Sequence, residues 1–201
     1  MSNLTGAANN HEADEKERDR ASLSDRLLKS RTILLAEPIT KDLAERVCAR
    51  LLLLDGEDDS KPITLYVNSP GGDVDAGFAI FDMARFISAP IRCISTGLTA
   101  SAAVIVLLAA PKKRRYSLPS SRFLMHQPST GVHGSRADIQ IEANEILKIR
   151  AKINELIAHE TGQPVQKVEK DTSRNYWMSA EEAHEYGLIT KIIRSKSDVK
   201  D

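Results

Sequence analysis

The chain has 201 residues, with 28 Lys plus Arg against 28 Asp plus Glu, so its formal net charge is zero. That length suits one domain with a sizeable core, and the charge balance argues against nucleic-acid binding, which needs surplus cations to neutralise phosphates. Its two cysteines, Cys48 and Cys93, lie far apart with no CxxC, which argues against a disulfide framework or a zinc knuckle.

Residues 1–21 are polar, acidic and rich in Asn and Ala, with no apolar h-region. A disordered arm without a secretory signal is expected there. The longest apolar stretch, residues 100–111, falls short of the ~20 residues of a membrane span, so a soluble, cytoplasmic protein that does not enter membranes is expected. After the arm, residues 32–35 read as a strand, and residues 40–54 have helical spacing that stops at Asp55-Gly56. Residues 63–68 (ITLYVN) read as a strand ending in Ser69-Pro70-Gly71-Gly72-Asp73, a turn whose glycines allow positive φ. A helix over 75–88 and a strand over 91–96 come next. Residues 97–108 are apolar on all sides, as in a buried helix. Lys112-Lys113-Arg114-Arg115 reads as a solvated charged turn and residues 121–126 as a strand. Residues 139–160 have the stripe of a long amphipathic helix, ended by Thr161-Gly162. A last helix starts at Ser179 with Glu182 three residues on, a capping box. It stops at Gly187, and residues 188–193 supply a final strand. The alternation of strand and helix predicts an α/β fold with largely parallel strands.

Ser101 is the candidate nucleophile. It opens a buried apolar helix after a strand and a glycine, where helix-terminal N–H groups point at whatever binds. Its hydroxyl could attack a carbonyl while the Ala102 N–H receives the oxyanion. Gly71 and Gly72, after a separate strand, could bring a second donor, although alone they read as a tight turn. His126 ends an apolar strand and is the candidate base; His11, His133, His159 and His184 read as solvated side chains. Competing chemistries lack their motifs: there is no GxxxxGK[ST], GxGxxG or HExxH, and no Cys/His spacing for a metal.

Several segments together resemble one family. Asn68-Ser69-Pro70-Gly71-Gly72, Ala100-Ser101 and Met125-His126-Gln127-Pro128 are similar to the motifs of the proteolytic subunit of the Clp (caseinolytic) protease, the ClpP family. Arg26-Leu27-Leu28-Lys29, Ala137-Asp138-Ile139-Gln140-Ile141, Thr161-Gly162-Gln163 and Glu185-Tyr186-Gly187-Leu188 support the match, which covers residues 22–195. The resemblance implies a crotonase-like spiral of ββα units with a protruding handle helix, about residues 131–161, between the polar arm and a polar tail at 196–201. It implies a serine endopeptidase that cleaves unfolded polypeptides inside a double heptamer, homomeric or mixed. No cofactor or metal is implied; ATP is used by a partner AAA+ unfoldase of the ClpX, ClpA or ClpC type. On the family pattern Ser101 is the nucleophile, His126 the base, and the N–H groups of Gly72 and Ala102 the oxyanion hole. Tyr66, Phe86, Ile94, Tyr116 and Leu118 fall at the positions of the unfoldase-docking cleft.

The departures from that pattern matter as much. Asn175 stands where the family has the triad Asp, before Tyr176-Trp177-Met178-Ser179. An amide can accept from the imidazole but supplies no charge to stabilise imidazolium, so activity is expected to be weak or partner-dependent. Ala102-Ala103 replaces Met-Gly, and Ser173 precedes Arg174 where an acidic residue is usual. Two other readings stand beside the main one: a catalytically impaired structural or regulatory ring subunit, and a crotonase-type acyl-CoA enzyme with the same two-amide hole.

Overall fold

The computed structural model describes residues 23–128 and 134–199. The expected arm, the segment 129–133 that includes His133, and the last two residues lie outside the described residues. The first described element is a helix over 23–29, here α1. In chain order come β1 (Thr32–Leu35), α2 (Lys41–Glu57), β2 (Ile63–Ser69), α3 (Val74–Phe86), β3 (Ile91–Ala100), α4 (Ala102–Leu108), β4 (Arg115–Ser117) and β5 (Arg122–Met125). The chain continues through α5 (Arg136–Thr161), α6 (Val165–Thr172), β6 (Tyr176–Met178), α7 (Ala180–Tyr186) and β7 (Lys191–Ile192).

Strands β1, β2, β3, β4 and β7 pair in that order, all parallel. Parallel neighbours need a crossover, and the helices between them supply it. Strand β2 shows the resulting pattern: Ile63, Leu65 and Val67 are buried beneath helices, while Thr64 and Tyr66 on the other face are half-buried. The expected helix stops recur where the backbone requires them. Gly162 and Gly187 adopt left-handed φ of 81° and 94° at the ends of α5 and α7. The Ser179–Glu182 capping box opens α7 as read from the sequence.

Strand β3 positions the site. Its first half pairs with β4 through Cys93–Ser95, and its second half pairs with β5 through Leu98–Ala100. Between them the register against β2 slips: Val67 faces Ser95, but Ser69 faces Thr99. The extra residues bulge at Gly97, whose φ is 62°, and Asn68 Oδ1 accepts the Leu98 N–H at 3.0 Å. A bulge of this kind bends its strand and re-aims the residues beyond it. The strand therefore runs on to Ala100, where the sequence predicted helix from residue 97.

Four expectations change here. Arg115 is not a solvated turn residue: it begins β4 and is 0% exposed, while Lys112 and Lys113 are exposed. Strand β6 and helix α6 were not among the predicted elements, and β7 is only two residues long. Helix α5 starts at Arg136, capped by Ser135 and Asp138.

Candidate active site

Ser101 sits between the end of β3 and the start of α4 with φ 55° and ψ −123°. Among the described non-glycine residues only Arg31 shares a positive φ. Such a conformation costs on the order of 1–3 kcal/mol and persists only where the surroundings over-determine it. Here they do. The Ser101 N–H donates to Leu124 O at 2.8 Å, and its carbonyl accepts from Val104 N at 2.9 Å, while its hydroxyl caps no helix N–H. Among the described residues the hydroxyl is thus left free at a strand-to-helix elbow.

The glycine turn presses against that elbow. A Cβ on Gly71 would lie 2.5 Å from Ala100 O and 2.7 Å from the Ser101 Cβ, and it would meet the Ala102 nitrogen at 3.0 Å. A Cβ on Gly72 would lie 2.2 Å from Ile39 O. Backbone bonds Ile39 N–H to Gly71 O and Asp73 N–H to Ile39 O, each 2.8 Å, hold the turn. Among the described residues no acceptor takes the N–H of Gly72 or Ala102. Glycines at 71 and 72 are therefore needed for close approach as well as for their φ values of 88° and 148°.

His126 comes directly after β5 and is half-buried. It shares one cavity of ≈ 20 Å³ with Ser101, lined otherwise by Val74, Ala102, Val104, Ile105, Met125, Pro128, Ile153 and Ile157. A wider cleft of ≈ 310 Å³ continues past Gly72, Val74 and Pro128 along α5 to Ile146 and Ile149. The histidine's place is fixed through its neighbour: the Gln127 N–H donates to Thr172 O at 2.7 Å, and the Thr172 hydroxyl lies 2.9 Å from Asn154 Oδ1.

Strands β5 and β6 are antiparallel, with Phe123 opposite Met178, Leu124 opposite Trp177 and Met125 opposite Tyr176. The ladder ends there; continued one step, its register would set His126 opposite Asn175. Asn175 is exposed, and among the described residues no hydrogen bond joins His126 to Ser101 or to Asn175. Asp171 is committed elsewhere: it accepts from Lys167 Nζ at 2.6 Å and from the Tyr186 hydroxyl at 3.0 Å. Burial first, and that carboxylate second, hold the Tyr186 phenol well above its ordinary pKa.

The residues matched to a docking cleft divide. Tyr66, Ile94 and Tyr116 stand side by side across β2, β3 and β4, with Leu34 of β1 continuing the row. Ile94 and Tyr116 form a small buried cluster with Ile193, edged by Tyr66 and Val199, separate from the main core. Leu118, 37% exposed, lies two residues past Tyr116. Phe86, at the end of α3 and 81% exposed, belongs to neither buried cluster. Sequence reasoning missed Val74 and the role of Met125, Ile153 and Ile157 as cavity wall. The apolar stripe of α5 was the available signal for the last two.

Among the described residues no group of His, Cys, Asp and Glu could hold a metal ion, and no helix is long and apolar enough to cross a membrane.

A serine on a strained elbow and a histidine lining the same cavity, on a largely parallel sheet, mark an α/β protein with a candidate hydrolase site. Comparison with known proteins makes this particular. The Clp protease family model matches residues 15–196. The chain is 50% identical over 192 residues, 96% of each protein, to ATP-dependent Clp protease proteolytic subunit 2 of Treponema denticola. It is 47% identical over 173 residues to subunit 3 of Rhizobium etli, covering 86% of this chain and 89% of that one. A solved structure of an Asn-to-Asp mutant of ClpP1 from Listeria monocytogenes superposes with a TM-score of 0.82 at 42% identity, covering 89% of this chain and 99% of the other. The chain belongs to the Clp protease family, as a proteolytic subunit with the ClpP fold.

Proposed function

We propose that this peptidase subunit is of the serine type, with Ser101 as nucleophile and His126 as general base. Ser101 Oγ attacks the scissile carbonyl carbon and gives its proton to the imidazole, while the Gly72 and Ala102 N–H groups hold the oxygen as it gains charge. Collapse expels the amine, which takes the proton from His126, and water repeats the sequence to release the acyl group. The observation that carries this reading is the uncapped hydroxyl at a positive-φ elbow, sharing a cavity with His126. Residues 22–195 form the peptidase domain on this reading, with α5 as the core of the handle.

The same reading places the chain in a double-heptamer barrel, homomeric or mixed, in the cytoplasm. With no nucleotide-binding motif in the sequence, unfolding work falls to an AAA+ ATPase of the ClpX, ClpA or ClpC type. It docks at the cleft formed by Tyr66, Phe86, Ile94, Tyr116 and Leu118, and no cofactor is needed for the cleavage itself. A fluorophosphonate probe and a short fluorogenic peptide test the chemistry. Labelling and cleavage should both vanish in Ser101→Ala. If the wild type shows neither, alone or mixed with a paralogous subunit, the serine-peptidase reading is wrong.

A second reading has its own support. Asn175 is exposed and makes no hydrogen bond to His126 among the described residues, as fits a subunit that shapes the barrel while another subunit cuts. Asn175→Asp separates the two. A large gain in turnover indicates intact machinery lacking one charge; no gain, with stable mixed rings, indicates a structural role.

A further inference from the structure

Away from the cavity, the molecule holds a largely buried charge cluster that the proposed chemistry does not use. Glu160, at the end of α5, binds Arg85 Nη2 through Oε1 at 2.9 Å and Arg115 Nη2 through Oε2. The Arg115 side chain is 0% exposed and that of Glu160 9%. The same guanidiniums also donate to carbonyls. Arg85 reaches Ala109 O at 2.7 Å and Leu108 O at 2.8 Å; Arg115 reaches Ala110 O at 2.7 Å and Leu108 O at 3.2 Å. Arg115 Nη1 also reaches the backbone carbonyl of Glu160 at 3.1 Å, and the exposed His159 approaches Oε1 at 3.4 Å.

Those carbonyls are the end of α4. A helix leaves its last carbonyls without internal partners, and its C-terminus carries partial negative charge. Two guanidiniums against one carboxylate leave a surplus positive charge, and it faces the C-termini of α4 and α5 together. Helix α4 has particular need of such a fixture. All seven of its residues are buried and apolar, so no polar side chain locks it in place along its axis. Its two turns span only about 10 Å, and a displacement at Leu108 passes to Ser101 and the Ala102 N–H. Helix α5 touches both ends: Ile153 and Ile157 wall the Ser101 cavity, and Glu160 lies within one further turn.

We propose that Glu160, acting through Arg85 and Arg115, is a positioning residue that sets α4 against α5 and so places Ser101 and the Ala102 N–H. Its catalytic consequence rests on the reading of Ser101 as nucleophile; the clamp on α4 does not. Because α5 is the body of the proposed handle, displacement of that helix reaches the nucleophile through this cluster.

Glu160→Gln in the full chain keeps the shape and leaves the buried Arg115 guanidinium, and the half-exposed Arg85 beside it, without a counter-charge. Hydrogen exchange at residues 102–108 should quicken about tenfold or more while α2 is unchanged. Fluorophosphonate labelling of Ser101 should slow by about 10–100-fold, the scale of a nucleophile displaced by under an ångström or so. For peptide cleavage, kcat should fall with KM held. Val47→Ala in α2, matched for loss of Tm, should leave both α4 exchange and labelling near wild type. If Glu160→Gln folds poorly, Arg85→Gln gives the same test, because it removes two carbonyl contacts from a half-exposed side chain. Unchanged α4 exchange in these variants, or a labelling loss no larger than that of Val47→Ala, overturns the proposal. Failure of the wild type to label overturns only the nucleophile reading, and α4 exchange still decides the clamp.

Discussion

The two halves of the candidate site are held very differently. On the Ser101 side, a bulged strand, two close-packed glycines and backbone bonds on both flanks fix a strained residue beside a fully buried helix. On the His126 side, the imidazole is half-buried, Asn175 is exposed, and the support comes through Gln127 and Thr172. On the proposed reading, rigidity has gone to the groups that would meet an oxyanion without reorganising. On the same reading, the proton-transfer half is left open, with Asn175 where the family pattern has the triad Asp. Turnover should therefore be limited by the His126 side and destroyed from the Ser101 side.

The largest expected effect tests the first clause. Asn175→Asp sets a carboxylate just beyond the end of the β5–β6 ladder, where the continued register would face it to His126 so that it accepts the imidazole N–H and stabilises imidazolium. The corresponding Asp→Asn change in a serine protease costs about 10⁴ in kcat, roughly 5.5 kcal/mol of barrier, and that sets the ceiling of the gain. The rise should appear in kcat with little movement of KM. A gain confined to KM would mean that Asn175 shapes substrate binding, and the contrast between the halves would lose its chemical meaning.

Gly71→Ala breaks the other half. The new methyl would meet Ala100 O and the Ser101 Cβ at under 3 Å, on a residue with φ 88°. Labelling of Ser101 should fall by about 10²–10³-fold, the cost of a misplaced oxyanion donor. An alanine that labels normally would show the turn to be adaptable.

A smaller effect lies in acid. Burial raises the Glu160 pKa, but the hydrogen bond and charge of Arg115, then those of Arg85, outweigh it and hold the carboxyl below its ordinary value. The unfolded chain then binds the proton first as pH falls, so this carboxylate contributes stability above its unfolded pKa, near 4.5, and loses it below. The Tm gap between wild type and Glu160→Gln should be full at neutral pH and should narrow as pH falls past that value. A gap constant through acid would mean that the carboxylate's charge is not what the cluster uses.

Sequence alone made the elbow legible because its signals are local. Glycines at 71 and 72, an apolar run after Ser101 and a capping box at Ser179 each act over a few residues. The β5–β6 ladder was missed because a three-residue strand such as Tyr176–Met178 is fixed by its partner rather than by its own pattern. Arg115 was misread for a related reason. Its burial depends on Glu160 and on carbonyls of α4, and a run of four basic residues carries no trace of either. The resemblance to a family supplied the pairing of Ser101 with His126, which composition and periodicity could only permit.

The smallest effect gives the rigid half a probe of its own. Cys93 lies on β3 ahead of the bulge, 0% exposed, with its sulfur 3.7 Å from Val106 O of α4. Burial pushes its thiol up to about 12, and thiol reagents attack the thiolate. Cys48, on α2, is only partly buried, and burial raises its thiol more mildly. In the native protein an alkylating reagent should therefore modify Cys48 alone, and Cys93 should react only as β3 and α4 separate. Its rate then reports the opening of the Ser101 half and should rise in Gly71→Ala but not in Asn175→Asp. Cys93 reacting as fast as Cys48 in the native wild type would show that the Ser101 side opens as readily as the side facing it.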